Sequence, residues 1–125
     1  MVDHTGACQC GAVKFTAHGE PKFISNCHCA ACRKATGAAF STWVGFEKDN
    51  IRWLKEPPSF YQSSPGVKRG FCPACGTPLT YAGKKWPGET HIMIGAFDDP
   101  SVFVPRIEVF TDEALDWALP KKDHE

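Results

Sequence analysis

The sequence has no apolar run longer than a few residues, no surplus of either charge and no basic cluster, and each absence removes a class of function. A membrane-spanning helix needs about 20 consecutive apolar residues, so none is expected. Fourteen basic residues balance fourteen acidic ones. A neutral chain offers no broad field for a nucleic-acid backbone or an anionic membrane, which argues against both as partners. The start "MVDHTGACQC" lacks the basic residues and apolar stretch of a secretory signal, and the expected location is the cytoplasm, where thiols stay reduced. Repeats, low-complexity tracts and linkers are also missing, and 125 residues suit one domain over 1–125.

What is present is punctuation. Eleven glycines and ten prolines are scattered along the chain, which suits short strands and turns better than long helices. "GAVKFTAHG" (11–19) alternates as a half-buried strand, with Val13, Phe15 and Ala17 on one face. "KFISNCHC" (22–29) runs as a strand into a cysteine cluster, and "AACRKATG" (30–37) forms a short helix or turn that Gly37 stops. Further strands are expected in 39–46, 51–54, 59–63, on both sides of the cysteines of 67–81, and in 90–97. Pro105 makes 101–110 a broken or edge strand, and 111–119 reads as a terminal helical turn. The fold class is mainly β.

Seven cysteines fall into three groups: Cys8 with Cys10, then Cys27, Cys29 and Cys32, then Cys72 with Cys75. An odd count in a reducing compartment fits metal binding better than disulfides. Short C-x-C and C-x-x-C steps let two sulfurs from one turn converge on a tetrahedral ion with Zn–S of about 2.3 Å. The simplest division is four plus three: a closed site from the two pairs, and a second site from "CHCAAC" with one open position. Structural zinc sites are closed, whereas catalytic ones keep a place for water or substrate. Two other divisions stay open. Cys29 and Cys32 can close a site with Cys72 and Cys75 while Cys27 lies in the core, or His28 can supply a fourth ligand, although in an extended segment its side chain points away from Cys27 and Cys29. His91 reads as a strand residue, and His4 and His124 as solvated.

"GACQCGAVKF", "CHCAACRKATGAAF", "RGFCPACGTPLTY" and "GAFDDP", in this order across nearly the whole chain, resemble the glutathione-dependent formaldehyde-activating enzyme family, also called the CENP-V/GFA domain family. The resemblance implies an Mss4-like, mostly antiparallel β fold stapled by zinc. It implies two zinc ions per chain, a structural one on Cys8, Cys10, Cys72 and Cys75 and a catalytic one on Cys27, Cys29 and Cys32. It also implies glutathione as the thiol partner and a carbon–sulfur lyase activity on its formaldehyde adduct. One departure stands out: "PRIEVF" carries Glu108 where many family members have a histidine.

On this reading an exogenous thiol fills the open position and meets a small carbonyl. Arg33 and Lys34, just past the third ligand, are candidates for a substrate carboxylate, with solvated surface charge as the plain alternative. Arg69 is expected to pair with an acid. The competing function is a non-enzymatic zinc-stabilised module that binds protein or nucleic acid. The oligomeric state is left open.

Overall fold

The computed structural model describes residues 2–119, so His124 lies outside the described residues. Strands dominate, as expected: β1 (Asp3–Ala7), β2 (Lys14–His18), β3 (Phe23–Cys27), β4 (Ser41–Glu47), β5 (Ile51–Trp53), β6 (Ser59–Ser64), β7 (Val67–Phe71), β8 (Pro78–Gly83), β9 (Glu89–Met93) and β10 (Ile107–Val109). The single α-helix among the described residues, α1 (Ala30–Thr36), ends at Gly37, whose φ of 76° is the left-handed conformation that glycine adopts without steric cost. The strands make a three-stranded sheet, β1-β2-β5, and a seven-stranded sheet, β10-β3-β4-β9-β8-β7-β6. All pairings are antiparallel except β10 with β3.

The large sheet has two different faces, set by the two-residue period of its strands. Val44 and Phe46 of β4 and Ile92 of β9 turn to one side and join Phe15 and Ala17 of the small sheet, and Val13 just before β2, in the main core, closed by Phe97 and Phe103. Trp43 and Met93, one residue out of phase, turn to the other side and pack against Cys27, Cys32, Phe23 and Tyr81. Gly45 on that second face is required: a Cβ there would stand 2.2 Å from the Phe23 ring, which instead meets the His91 ring edge-on at 4.6 Å.

Three expectations change. β1 has no counterpart in the sequence reading; it pairs with β2 along its full length, from Asp3 with His18 to Ala7 with Lys14. It also carries His4 inward. The ring lies 4.8 Å from that of Phe103 and near Phe46 and Phe97, so His4 is a packed residue and not a solvated one. The apolar segment 90–97 is a strand only to Met93, after which Ile94–Ala96 turns as a 3₁₀ helix. The late segment is both broken and at an edge: Pro100–Val102 is a 3₁₀ turn and β10 borders the sheet. Residues 111–119 form two 3₁₀ turns, Thr111–Glu113 and Asp116–Ala118.

Two candidate metal centres and a cleft

The cysteines gather four and three. Cys8, Cys10, Cys72 and Cys75 bring their sulfurs within 4.8 Å of one another, as do Cys27, Cys29 and Cys32. Cys29 and Cys32 therefore do not close a site with Cys72 and Cys75. Among the described residues no further cysteine, histidine, aspartate or glutamate joins either group.

The four-sulfur group lies where two turns meet. Cys8 and Cys10 follow β1, and Cys72 and Cys75 sit between β7 and β8. In the second turn the Gly76 N–H donates to the Cys72 carbonyl at 2.8 Å and the Cys75 N–H reaches the Cys72 sulfur at 3.5 Å. In the first, the Val13 N–H reaches the Cys8 sulfur at 3.3 Å. Thr77 ties the turns together: its hydroxyl accepts from the Gln9 N–H at 3.1 Å and lies 3.0 Å from the Cys75 sulfur, holding that thiol down at about 5. Sulfur separations of 3.7 Å (Cys8 to Cys10) and 3.8 Å (Cys10 to Cys72) suit a tetrahedral ion, whose bonds of about 2.3 Å put ligands about 3.8 Å apart. Donated backbone N–H groups relieve thiolate charge, so the surroundings as well as the donor set fit Zn²⁺.

The three-sulfur group is assembled by the end of β3 and the start of α1. Cys27 is the last residue of the strand, and Cys29 is the helix N-cap, its sulfur accepting from the Cys32 N–H at 3.3 Å. Cys27 lies 3.5 Å from Cys29 and 3.6 Å from Cys32, again at ligand spacing. His28 points the other way, as alternation requires. Its ring is fully buried and shares a 2.7 Å hydrogen bond with Glu108, and Glu108 also accepts from the Asn26 amide at 2.7 Å. Glu108 thus holds β10 to β3 from behind the cysteine loop.

Arg69, only 6% exposed, stands beside this group. It forms no ion pair with an acid among the described residues, contrary to expectation. One guanidinium N–H donates to the Cys32 sulfur at 3.6 Å and Nε donates to Ser63 at 3.1 Å, while the guanidinium carbon lies 5.2 Å from the Tyr81 ring centroid. Hydrogen bonds from Cys27 and Cys29 together with Arg69 bring the Cys32 thiol down to about 5. Cys27 donates its S–H to the Cys32 sulfur and is buried, and both push its thiol upward.

The three sulfurs lie at a cleft of about 780 Å³ walled by Phe23, Trp43, Tyr81, Trp86 and Val109, with Arg69 inside and Lys84 and Lys85 also on its lining. Neither Arg33 nor Lys34 lines it. Arg33 donates to the carbonyls of His28 and Glu113, both at 2.7 Å, and so fastens α1 to the chain beyond β10. The sequence reading missed Arg69, Lys84 and Lys85 as cleft residues. A pair of adjacent lysines before Trp86 was the visible signal, but only the β8–β9 pairing brings it to the cysteines.

A sequence model of the family described as "Glutathione-dependent formaldehyde-activating enzyme" matches residues 3–113. A curated protein of Halomonas elongata, named a putative glutathione-dependent formaldehyde-activating enzyme, is 30% identical over 122 residues, covering 90% of this chain and 77% of its own. An uncharacterized lyase of Schizosaccharomyces pombe is 33% identical over 82 residues, which are 66% of this chain and 59% of that protein. A crystal structure of a Rhodobacter sphaeroides protein superposes with a TM-score of 0.64 at 21% identity, covering 84% of this chain and 99% of that one, and shares the fold.

Proposed function

The chain belongs to the glutathione-dependent formaldehyde-activating enzyme family, and we propose that it is a zinc-dependent carbon–sulfur lyase acting on a thiol adduct of formaldehyde or a related small carbonyl. The observation that carries this reading is the contrast in ligand number: a four-sulfur group between two turns, and a three-sulfur group lying on a cleft. We assign Cys8, Cys10, Cys72 and Cys75 to a structural zinc, and Cys27, Cys29 and Cys32 to a catalytic one. When bound there, Zn²⁺ supplies a coordination position that holds an exogenous sulfur as thiolate and offsets its charge.

The chain's own residues do the rest. The Arg69 guanidinium offsets the negative charge that three cysteine thiolates and an incoming sulfur would concentrate in a buried place. The aromatic walls lower the polarity beside the carbon–sulfur bond, which strengthens electrostatic contacts there. His28, turned away and bonded to Glu108, keeps the cysteine loop at its register without taking part in ligation.

Co²⁺ in place of zinc gives the direct test, because an added thiolate changes its ligand field. Glutathione is expected to alter the visible spectrum of the Co²⁺ protein, and S-methylglutathione, which has no thiol, is not. Equal effects from the two would rule out direct ligation by the substrate sulfur.

A further inference from the structure

Three features of the cleft concern the groups on either side of the reacting bond. First, beside Arg69, a set of apolar side chains packs against the three cysteines: Phe23, Trp43, Tyr81, Met93 and Val109. Rings continue outward from there. Tyr81 lies 6.0 Å from Trp43, 5.4 Å from His91 and 6.0 Å from Trp86, so β4, β8 and β9 present one aromatic wall. Second, Phe110 adds a further ring to the lining while 43% exposed, and it is the only described non-glycine residue with positive φ, at 56°. A phenylalanine held in that conformation is uncommon and carries a steric cost. Third, the charged side chains of the lining, apart from the thiols, are all basic: Arg69, Lys84 and Lys85, with no aspartate or glutamate among the described lining residues.

Formaldehyde leaves only a hydroxymethyl group beside the sulfur, which has no apolar surface to set against the aromatic wall. An apolar pocket with a few fixed charges selects a ligand with an apolar body and a complementary charged end. We infer that the cleft takes the adduct of an anionic thiol with an aldehyde bearing an aromatic or branched aliphatic group, the apolar group lying against Tyr81, Trp86 and Phe110 and the anionic end of the thiol meeting Lys84 and Lys85. This rests on the lyase reading above and narrows its substrate. The reaction is balanced without a co-reactant. In RS–CH(OH)R′ the carbon–sulfur bond breaks with its electron pair going to sulfur, while the O–H pair closes the carbonyl. The proton released from oxygen then ends on the thiol, giving RSH and R′CHO. The reaction that supplies such a substrate is the spontaneous or catalysed addition of a thiol to a hydrophobic aldehyde.

Stable thioethers test the cleft without using the sulfur as a ligand. Calorimetric titration of the zinc-loaded protein with S-benzylglutathione and S-methylglutathione is expected to show the benzyl compound binding at least about tenfold tighter. Trp86→Ala and Phe110→Ala should each shrink that ratio, and the double substitution Lys84→Ala with Lys85→Ala should weaken both compounds by the same factor. Equal affinities for the two thioethers overturn the proposal, and so does a benzyl preference that survives loss of both Trp86 and Phe110. Indifference to the loss of both lysines overturns the assignment of the anionic end. The outcome is separable from that of the lyase reading. A thiol-dependent Co²⁺ spectrum with no benzyl preference leaves the lyase and removes this substrate class. A benzyl preference without thiol ligation supports the cleft and removes direct ligation of the substrate sulfur.

Discussion

Cys72 is fully buried in the cluster that holds Val13, Phe15 and Leu79, whereas Cys29 is half-buried on the lining of an open cleft. Both cysteine groups use sulfurs at similar spacing with backbone N–H groups donated to them, so local geometry does not distinguish them. Their connectivity does. The four-sulfur group ties a turn at residues 8–10 to one at 72–75, and so joins the small sheet to the large one. The three-sulfur group spans six residues at one strand–helix junction and crosses no sheet boundary. With zinc bound, the same ligand chemistry would staple two sheets in the first place and stay local to one strand–helix junction in the second.

The largest expected effect follows from that difference. A structural zinc contributes on the order of 10 kcal/mol to folding, comparable with the whole net stability of a small domain. Cys72→Ser is therefore expected to misfold, aggregate or lose most of its thermal transition. Cys29→Ser is expected to stay folded, to lose about one zinc of the two proposed, and to lose thiol-dependent activity. Thermal melts followed by circular dichroism, with elemental analysis of the same samples, read both quantities. If Cys29→Ser unfolds the chain while Cys72→Ser is tolerated, the two roles are exchanged. Equal loss of folding would instead favour a purely structural module.

This contrast was largely legible in the sequence, because both groups depend on short spacings that local geometry controls. "CPACG" specifies its own turn, and alternation in an extended segment already turns His28 away from its neighbours. What was not legible depends on long-range pairing. Arg69 reaches Cys32 across 37 residues, through the order in which β7, β8, β9, β4 and β3 lie side by side. Arg33 and Lys34 were misleading for a local reason. Each helical step rotates a side chain by about 100°, so Arg33 and Lys34 leave the side on which Ala31 and Cys32 line the cleft. β1 escaped notice because its five residues, DHTGA, carry almost no apolar pattern; its pairing with β2 and the packing of His4 define it.

Arg69 offers a way to sharpen the comparison, because it touches only the three-sulfur group. Arg69→Met keeps an unbranched apolar side chain in the same place but removes the guanidinium and its donated N–H. Hydrogen bonds to charged groups contribute about 1.5–3 kcal/mol, so thiol affinity in the Co²⁺ protein is expected to fall by roughly ten- to a hundredfold. Thermal stability should change far less than in Cys72→Ser, since replacing a buried charge by a packed apolar side chain is often close to neutral. Arg69→Lys should recover part of the affinity, because it keeps the charge without the planar fork. Parent-like thiol binding in Arg69→Met would reduce Arg69 to a packing residue.

The smallest effect is expected behind the cysteine loop. Glu108 receives the Asn26 amide and pairs with the fully buried His28, which sits between Cys27 and Cys29. Glu108→Ala leaves that imidazole without its partner. An unsatisfied buried polar group costs about 1–3 kcal/mol, so a lower melting temperature is expected, with the cooperative transition preserved. The local consequence is more informative than the global one. Freed from Glu108, the loop holding Cys27 and Cys29 should sample more conformations, and zinc in the three-sulfur group should pass to a chelator faster. Zinc in the four-sulfur group, which Glu108 does not touch, should leave at the parental rate. Stopped-flow transfer to a chromogenic chelator resolves the two phases. Acceleration of the fast phase alone would show that Glu108 supports the cleft-side centre through His28. Equal acceleration of both phases would mean that the brace stabilises the sheet as a whole and has no special relation to the cysteine loop in front of it.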